Sequence, residues 1–397
     1  MEEETMRVLE GIRVLDFGRY IAGPFCAALL GDMGADVIRI ERPGGGEDRV
    51  VGAVTHDGIG AGFFQLNRNK RSLTLNPTST EGREIVKKLV ATADVVVANV
   101  PPQALTEMGI DLASLHAINP RVILTTGSAF GRGGPYSNRL GFDGIGQVMS
   151  GNTYMSGADE NTPAKSLFPY VDYGTATNCA LGALAALMAR EKTGRGQMVE
   201  GSLLRTALTI ANSPLIEEDI LELGRKPQGN RGYNAAPADV FRTRDGFILA
   251  QVVSDTLFKR WAGLVGEPGW PSDPRFKDDK SRGENGKIIS DRMNEWCANY
   301  TSEEAILLLA EARIPAGKVM SPRQVLSDPH VQTMFIPQDY PTLKKPAQVV
   351  GPPTLLSETP LEFHRRAPTS GEHTDEILQS IGYSGDEIAA LRAKNVI

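Results

Sequence analysis

The chain is predicted to be an α/β protein: a large domain around a parallel sheet, built from both ends of the chain, with a smaller α+β domain inserted between. Three observations predict it. Apolar, β-branched runs at Ile12–Phe17, Asp36–Glu41, Ser72–Leu75, Asp94–Ala98 and Arg121–Thr126 alternate with helical segments, clearest at Ala22–Met33 and Thr80–Ala91. Strands separated by helices pair in parallel and are covered on both faces, a Rossmann-like arrangement. The composition then turns polar and glycine-bearing at Lys226–Asn234, ahead of a new strand (Phe247–Val253) and helix (Thr256–Val265). Finally, a proline-rich crossing leads to two short helices, Glu372–Ile381 and Asp386–Lys394, too small to stand alone and so expected to pack back on the first half. The boundaries that follow are 1–205 for the N-terminal part of the large domain, 206–228 for a linker, 229–315 for the small domain, 316–345 for a second linker, and 346–397 for the C-terminal part.

The totals narrow the function. With 397 residues, 41% hydrophobic and 23% charged, the chain has the composition of an ordinary globular protein with room for two cores. A net charge of -6 and the absence of a basic block beyond Arg68–Arg71 argue against nucleic acid. The acidic start, Met1–Thr5, is no basic leader, and no apolar run reaches a membrane span, which makes a cytoplasmic enzyme the expectation. Three cysteines, Cys26, Cys179 and Cys297, lie far apart and away from any metal-ligand spacing, so they read as buried free thiols and no metal is expected. His56, His116, His330, His364 and His373 lie in loops or on polar helix faces, outside any hydrolase or metalloprotease motif.

In chain order, the first strand-to-helix turn runs Gly18-Arg19-Tyr20-Ile21-Ala22-Gly23 and lacks the inner glycine of a dinucleotide cradle; Gly44-Gly45-Gly46 after the second strand is followed by Glu47 and Asp48, which would repel a phosphate. A cationic set spread over loops, Arg19, Arg42 and the Arg68–Arg71 cluster, points instead to an anionic ligand at the carboxyl ends of the strands. The stretch Phe168–Leu203 sets Asp172 before a helix that is small or apolar on every face from Ala176 to Met188, and so expected to be buried. It closes at Thr193-Gly194-Arg195-Gly196. Asp172 has two readings at this point: a side chain capping the helix, or an ionised carboxylate held open to an electrophile at a helix N-terminus. In the small domain, Trp261, Trp270, Trp296 and Phe276 make an aromatic core, and Ser302 with Glu303 and Glu304 starts a capped helix.

Ordered blocks over the whole chain resemble the class III CoA-transferases, a family that takes in formyl-CoA transferases, carnitine-type CoA-transferases and the α-methylacyl-CoA racemases. They are LEGIRVLDFGRYIAGPFCAALLGDMGADVIRIERPGGGED, NRNKRSLTLN, ANVPPQALTEMG, NPRVILTTGSAFGRGGP, GFDGIGQVMSG, the Asp172 segment with KTGRGQ, and GEHTDEILQSIGY. The resemblance implies an acyl-CoA:carboxylate CoA-transferase in which Asp172 is the nucleophile, with aspartyl anhydride and aspartyl-CoA thioester intermediates. It implies CoA along Arg19, Tyr20, Ile21 and Ala22, Arg42 near the adenine and 3′-phosphate, Leu75 beside it, and Asn99, Val100 and Met108 on the pantetheine path. It also implies that a glycine segment containing Gly229 and Gly232 covers the site, and that two ring-shaped chains interlock as a homodimer. Glu107 stands where formyl-CoA transferases carry a basic residue, and Ile21 where they carry a glutamine. The racemases place a histidine in a G-H-D segment that here reads Gly141-Phe142-Asp143, which favours transfer over racemisation and leaves Asp143 as either an accessory acid or a helix cap. An acyl-CoA racemase or isomerase on the same scaffold, and a non-catalytic CoA-binding protein, are the alternatives.

Overall fold

A computed structural model describes residues 6–397; Met1–Thr5, whose acidity argued against a leader, lie outside them. The described residues divide into two compact units, one of 6–152, 166–220 and 334–397, the other of 153–165 and 221–333. The second unit thus also takes Thr153–Lys165, a stretch the composition gave no reason to separate from the large domain.

The first unit is a six-stranded sheet in the order β3-β2-β1-β4-β5-β6, with β1 Arg13–Asp16, β2 Asp36–Glu41, β3 Lys70–Thr74, β4 Val95–Ala98, β5 Ile123–Ser128 and β6 Met198–Ser202. Every neighbouring pair is parallel. The strands read as unbroken apolar runs because both faces are buried. Val14, Val37, Val95, Val97 and Ile123 face one cluster, while their chain neighbours Leu15, Ile38, Val96 and Leu124 face the other. β6 escaped the sequence reading, since Met198–Ser202 runs straight into the apolar helix α5 defined below and looks like its continuation.

Six helices matter for the site: α1 Ala22–Asp32, α2 Thr80–Val90, α3 Asp143–Met149, α4 Tyr170–Thr193, α5 Leu203–Ile210 and α6 Asn212–Leu221. All of α1 is buried. Its partner on the same sheet face is α4, where Ala176, Ala180, Ala183 and Ala186 allow close approach. Gly182 and Gly201 are needed here: a Cβ on Gly182 would lie 2.5 Å from Val199 Cγ1, and one on Gly201 2.5 Å from Cys179 Sγ. The helix stops at Gly194, in the left-handed region at φ 70°, whose N–H donates to the Arg190 carbonyl.

The expectation that α4 is buried all round is not met within one chain. Leu181 and Met188 are 66% and 72% exposed, and no residue of α6 is buried. Apolar residues on every face show that a helix needs covering, not that its own chain supplies the cover.

The C-terminal segment does return to the sheet. Ile377, Leu378, Ile388, Leu391, Val396 and Ile397 join the cluster on the α2 face. Asn69 fastens it, donating to the Glu362 carbonyl (2.6 Å) and accepting from the N–H groups of His364 (2.9 Å) and Arg365 (3.0 Å). Ser72 and Thr74 on β3 bond His373, Gly371 and Thr374, which covers the sheet edge.

The second unit has a three-stranded antiparallel sheet, Ala238–Arg242, Phe247–Gln251 and Ala316–Lys318. Its core contains Phe241, Phe258, Trp261, Phe276, Met293 and Trp296. The capping box of the helix Ser302–Glu311 is made by Thr301 and Glu304 rather than by Ser302, whose N–H and hydroxyl both donate to Asp245. Cys26, Cys179 and Cys297 are buried free thiols.

Candidate active site

β1 and β4 lie side by side at the centre of the sheet although α1, β2, α2 and β3 separate them in the chain, and a ligand crevice forms outside the carboxyl ends of strands at such a reversal. The turn from β1 into α1 occupies this place. Gly18 and Gly23 fold against each other: a Cβ on Gly18 would meet the Gly23 carbonyl carbon at 2.8 Å, and one on Gly23 would meet Asn99 Oδ1 at 2.6 Å. Asn99, just beyond β4, grips the Arg19 backbone at both ends, accepting from its N–H (2.7 Å) and donating to its carbonyl (2.8 Å). That grip leaves Tyr20 at φ 60°, a conformation costing a non-glycine residue about 1–3 kcal/mol. The Arg19 guanidinium folds back to the carbonyls of Phe17, Gly18 and Ile40, tying the turn to the end of β2. Arg42 beyond β2 is exposed and donates to the Gly45 carbonyl.

The structure thus gathers Arg19, Tyr20, Ile21, Ala22 and Asn99 in one corner. Leu75 and Met108 lie lower, in the core beneath the α2 face, and Val100 packs on that cluster; Leu75 has no exposed surface to offer a ligand. Gly229 and Gly232 belong to the second unit.

The cluster Arg68–Arg71 is not a set of ligand cations. Arg68 is buried and pairs with Asp32 (3.0 and 2.6 Å), Arg71 pairs with Asp36 and Glu376, and Lys70 is buried against Asp16 (2.7 Å). Each partner stands more than 30 positions away in the chain, 36 for Arg68 and 54 for Lys70, so the pairing leaves no local signature.

Asp172 is the third residue of α4, not its cap; the capping position is Pro169, with no side-chain bond. The cap comes from another helix. Asp143, at the start of α3, accepts from the N–H groups of Val171 (2.7 Å) and Asp172 (3.0 Å) through one oxygen and from the Gln147 side chain through the other. Gln147 in turn accepts from the Ser166 N–H at 2.9 Å, fixing the approach to α4. Asp143 therefore takes the helix-capping role, and among the described residues the Asp172 carboxylate has neither an ion pair nor a hydrogen-bond donor. Burial, with the negative charge of Asp143 added, pushes the Asp172 carboxyl up to about 7. Two aromatic contacts join this corner to the β1–α1 turn: Tyr20 meets Phe142 edge-on at 5.6 Å, and Phe25 meets Tyr173 at 4.8 Å.

The model of CoA-transferase family III matches residues 9–374. The chain belongs to that family. It is a CoA-transferase, and its relatives span its full length. It is 36% identical to the succinyl-CoA–D-citramalate CoA-transferase of Chloroflexus aurantiacus, over 98% of this chain and 98% of that protein. It is 33% identical to the β subunit of a succinyl-CoA–L-malate CoA-transferase from the same organism, over 99% of each. Among solved structures, a CaiB/BaiF family protein from Brucella suis superposes with a TM-score of 0.82 at 29% identity, covering 95% of this chain and 100% of that one. Among the described residues of this family member, no helix is long and apolar enough to cross a membrane.

Proposed function

We propose that the chain transfers CoA between two carboxylic acids with Asp172 as nucleophile. The observation that carries this is the Asp172 carboxylate at the N-terminus of α4, left without a partner because Asp143 does the capping. One Asp172 oxygen attacks the donor thioester carbonyl and CoA thiolate leaves, giving a mixed anhydride. The thiolate then attacks the Asp172 carbonyl and expels the donor acid, leaving an aspartyl-CoA thioester. The acceptor carboxylate attacks that thioester, releasing thiolate and forming a second anhydride. Attack of thiolate on the acceptor's acyl carbon yields the new acyl-CoA and restores Asp172. A carboxylate of raised basicity suits the first step, and the helix N-terminus favours the negative charge that develops.

CoA in this reading lies over the turn Arg19–Ala22, with Asn99 holding the turn and the exposed Arg42, anchored to the Gly45 carbonyl through Nε, turning its remaining donors to a phosphate. The side chain of Phe142 is 68% exposed and carries no proton to exchange, which speaks against a two-base racemase. The names of the relatives make succinyl-CoA the first donor to try and short hydroxy-dicarboxylates the first acceptors. Intact-protein mass measurement after incubation with acyl-CoAs, with hydroxylamine or borohydride trapping, tests the reading. An adduct mapped to Asp172 supports it; tight CoA binding with no adduct from any donor, together with deuterium wash-in at the α-carbon, would turn it into an isomerase.

The exposed stripe of α4 and the bare α6 support a homodimer, since a second copy of the same surface can cover both. Charged replacements at Leu181 and Met188 are expected to yield monomers by sedimentation; an unchanged mass would remove this face from the interface.

A further inference from the structure

We propose that Lys70 is a positioning residue for the CoA site, holding the β1–α1 turn through Asp16 at its start and Pro24 at its end. The inference rests on the reading that this turn binds CoA.

Lys70 opens β3 and has no solvent exposure. Its ammonium donates to Asp16 Oδ2 (2.7 Å), the Pro24 carbonyl (2.8 Å) and Asn67 Oδ1 (3.0 Å), so its three N–H bonds have three acceptors. Asp16 passes the restraint on: its other oxygen accepts from the Gly18 N–H at 2.8 Å. Pro24 lies in the first turn of α1. One cation thereby fixes the backbone on both sides of Arg19–Gly23, while Asn99 fixes it from the third side. Stability alone gives no reason for a buried ion pair here, since a well-packed apolar pair commonly does as well or better. A turn whose backbone must stand in one place for a ligand does give one.

The same loop supplies an internal control. Arg68, two residues earlier, pairs with Asp32 at the far end of α1 and is equally buried. Its guanidinium lies 5.6 Å from the centre of the Phe25 ring, but its hydrogen bonds go to Asp32 and the Gln65 carbonyl and none to the turn. A purely structural role would make the two pairs interchangeable in effect.

A pH dependence follows from this environment. The groups that face Lys70 are Asp16 on β1, Arg39 on β2, Asp48 just after β2, and Asp32 and Cys26 on α1. Burial, only partly offset by Asp16, pulls the Lys70 ammonium down to about 8. Above that pH a donor is lost and the turn loosens.

The test is calorimetric binding of desulfo-CoA, which has no thiol to titrate, to the full chain at pH 7–9. Asp16→Asn with Lys70→Met keeps an acceptor for Gly18 without leaving a bare charge; Asp32→Asn with Arg68→Met is the control. For the first variant, once circular dichroism shows it folded, Kd is expected to rise about tenfold or more, with kcat at saturating donor within about threefold of the parent chain. The control is expected to bind as the parent does. The parent's own affinity is expected to fall as pH passes about 8, a readout that stands even if the variant does not fold. Unchanged Kd in the folded variant, an equal loss in the control, or a parent affinity flat across the range overturns the role of Lys70. Failure of the parent to bind desulfo-CoA at any pH overturns the reading of the turn, and the inference with it.

Discussion

Two regions of the first unit bury carboxylates and treat them in opposite ways. Around β1, β2 and β3 each buried acid has its own cation: Asp16 with Lys70 (2.7 Å), Asp32 with Arg68 (2.6 Å), Glu41 with Arg49 (2.5 Å) and Asp48 with Arg39 (2.7 Å). Although burial works against its charge, Glu41 is held down at about 2 by the bonds and charges of Arg49 and Arg39 and by the Ser72 hydroxyl. At the start of α4 the charge nearest Asp172 is another carboxylate, and Asp172 rises to about 7. The first arrangement spends its acids on making backbone rigid. The second leaves one acid uncompensated, and an acid so perturbed marks a candidate site.

The largest break in that contrast is Asp172→Asn, which is expected to lower CoA transfer by about a thousandfold or more, since the covalent route is gone. Retention of more than about a tenth of the activity would exclude Asp172 as nucleophile. For the parent chain, kcat/KM is expected to rise as pH climbs through about 7, where Asp172 ionises.

Glu41→Gln breaks the opposite region. It leaves the Arg49 and Arg39 cations short of a buried partner and is expected to destabilise the chain by about 3 kcal/mol, read by denaturant titration at neutral pH. Its sign with pH is fixed by the direction of the shift. A depressed acid contributes stability above its ordinary value of 4.5 and loses it as pH falls toward about 2, so the difference between parent and variant should vanish across that window. A difference that persists at pH 2 would assign the effect to packing instead.

Asp143→Asn tests the cap. An amide oxygen can still accept from Val171 and Asp172, but the amide NH2 then faces the Gln147 donor where an acceptor stood, so the loss of stability should be about 1–3 kcal/mol. The removal of its negative charge should move the acid limb of the pH–rate profile downward. A limb that stays in place would make burial alone responsible for the position of Asp172.

Much of the architecture was legible because it rests on local pattern. Five of the six strands, α1, α2, the glycine stop of α4 and the aromatic core around Trp261 follow from periodicity, capping and composition. What was not legible depends on partners distant in the chain. Nothing near Lys70 points to Asp16, nothing near Asn69 points to the backbone around Arg365, and the GFD segment does not reveal that Asp143 caps a helix starting at Tyr170. The Arg68–Arg71 cluster looked like a ligand surface for the same reason: a charge in sequence has no burial attached to it. For Asp172 the choice between cap and free carboxylate needed the third dimension.

The finest comparison concerns Asp172 itself, because its two readings predict opposite changes in stability on replacement. A cap stabilises, and its loss lowers Tm. A carboxylate whose folded-state value is raised from 3.8 to about 7 does the reverse. Between those pH values the folded chain keeps a proton that the unfolded chain has lost, so this group subtracts stability as pH rises and the full penalty is present above about 7. The carboxylate is only partly buried, and solvent screening reduces the penalty to the order of 1–2 kcal/mol. Asp172→Asn removes the charge and not the shape. Its Tm should therefore exceed that of the parent by about 1–4 °C at pH 8 and match it near pH 4, where neither chain carries the charge when folded. A Tm below the parent's at both pH values would show that Asp172 stabilises α4, and would return it to the company of Asp16 and Glu41.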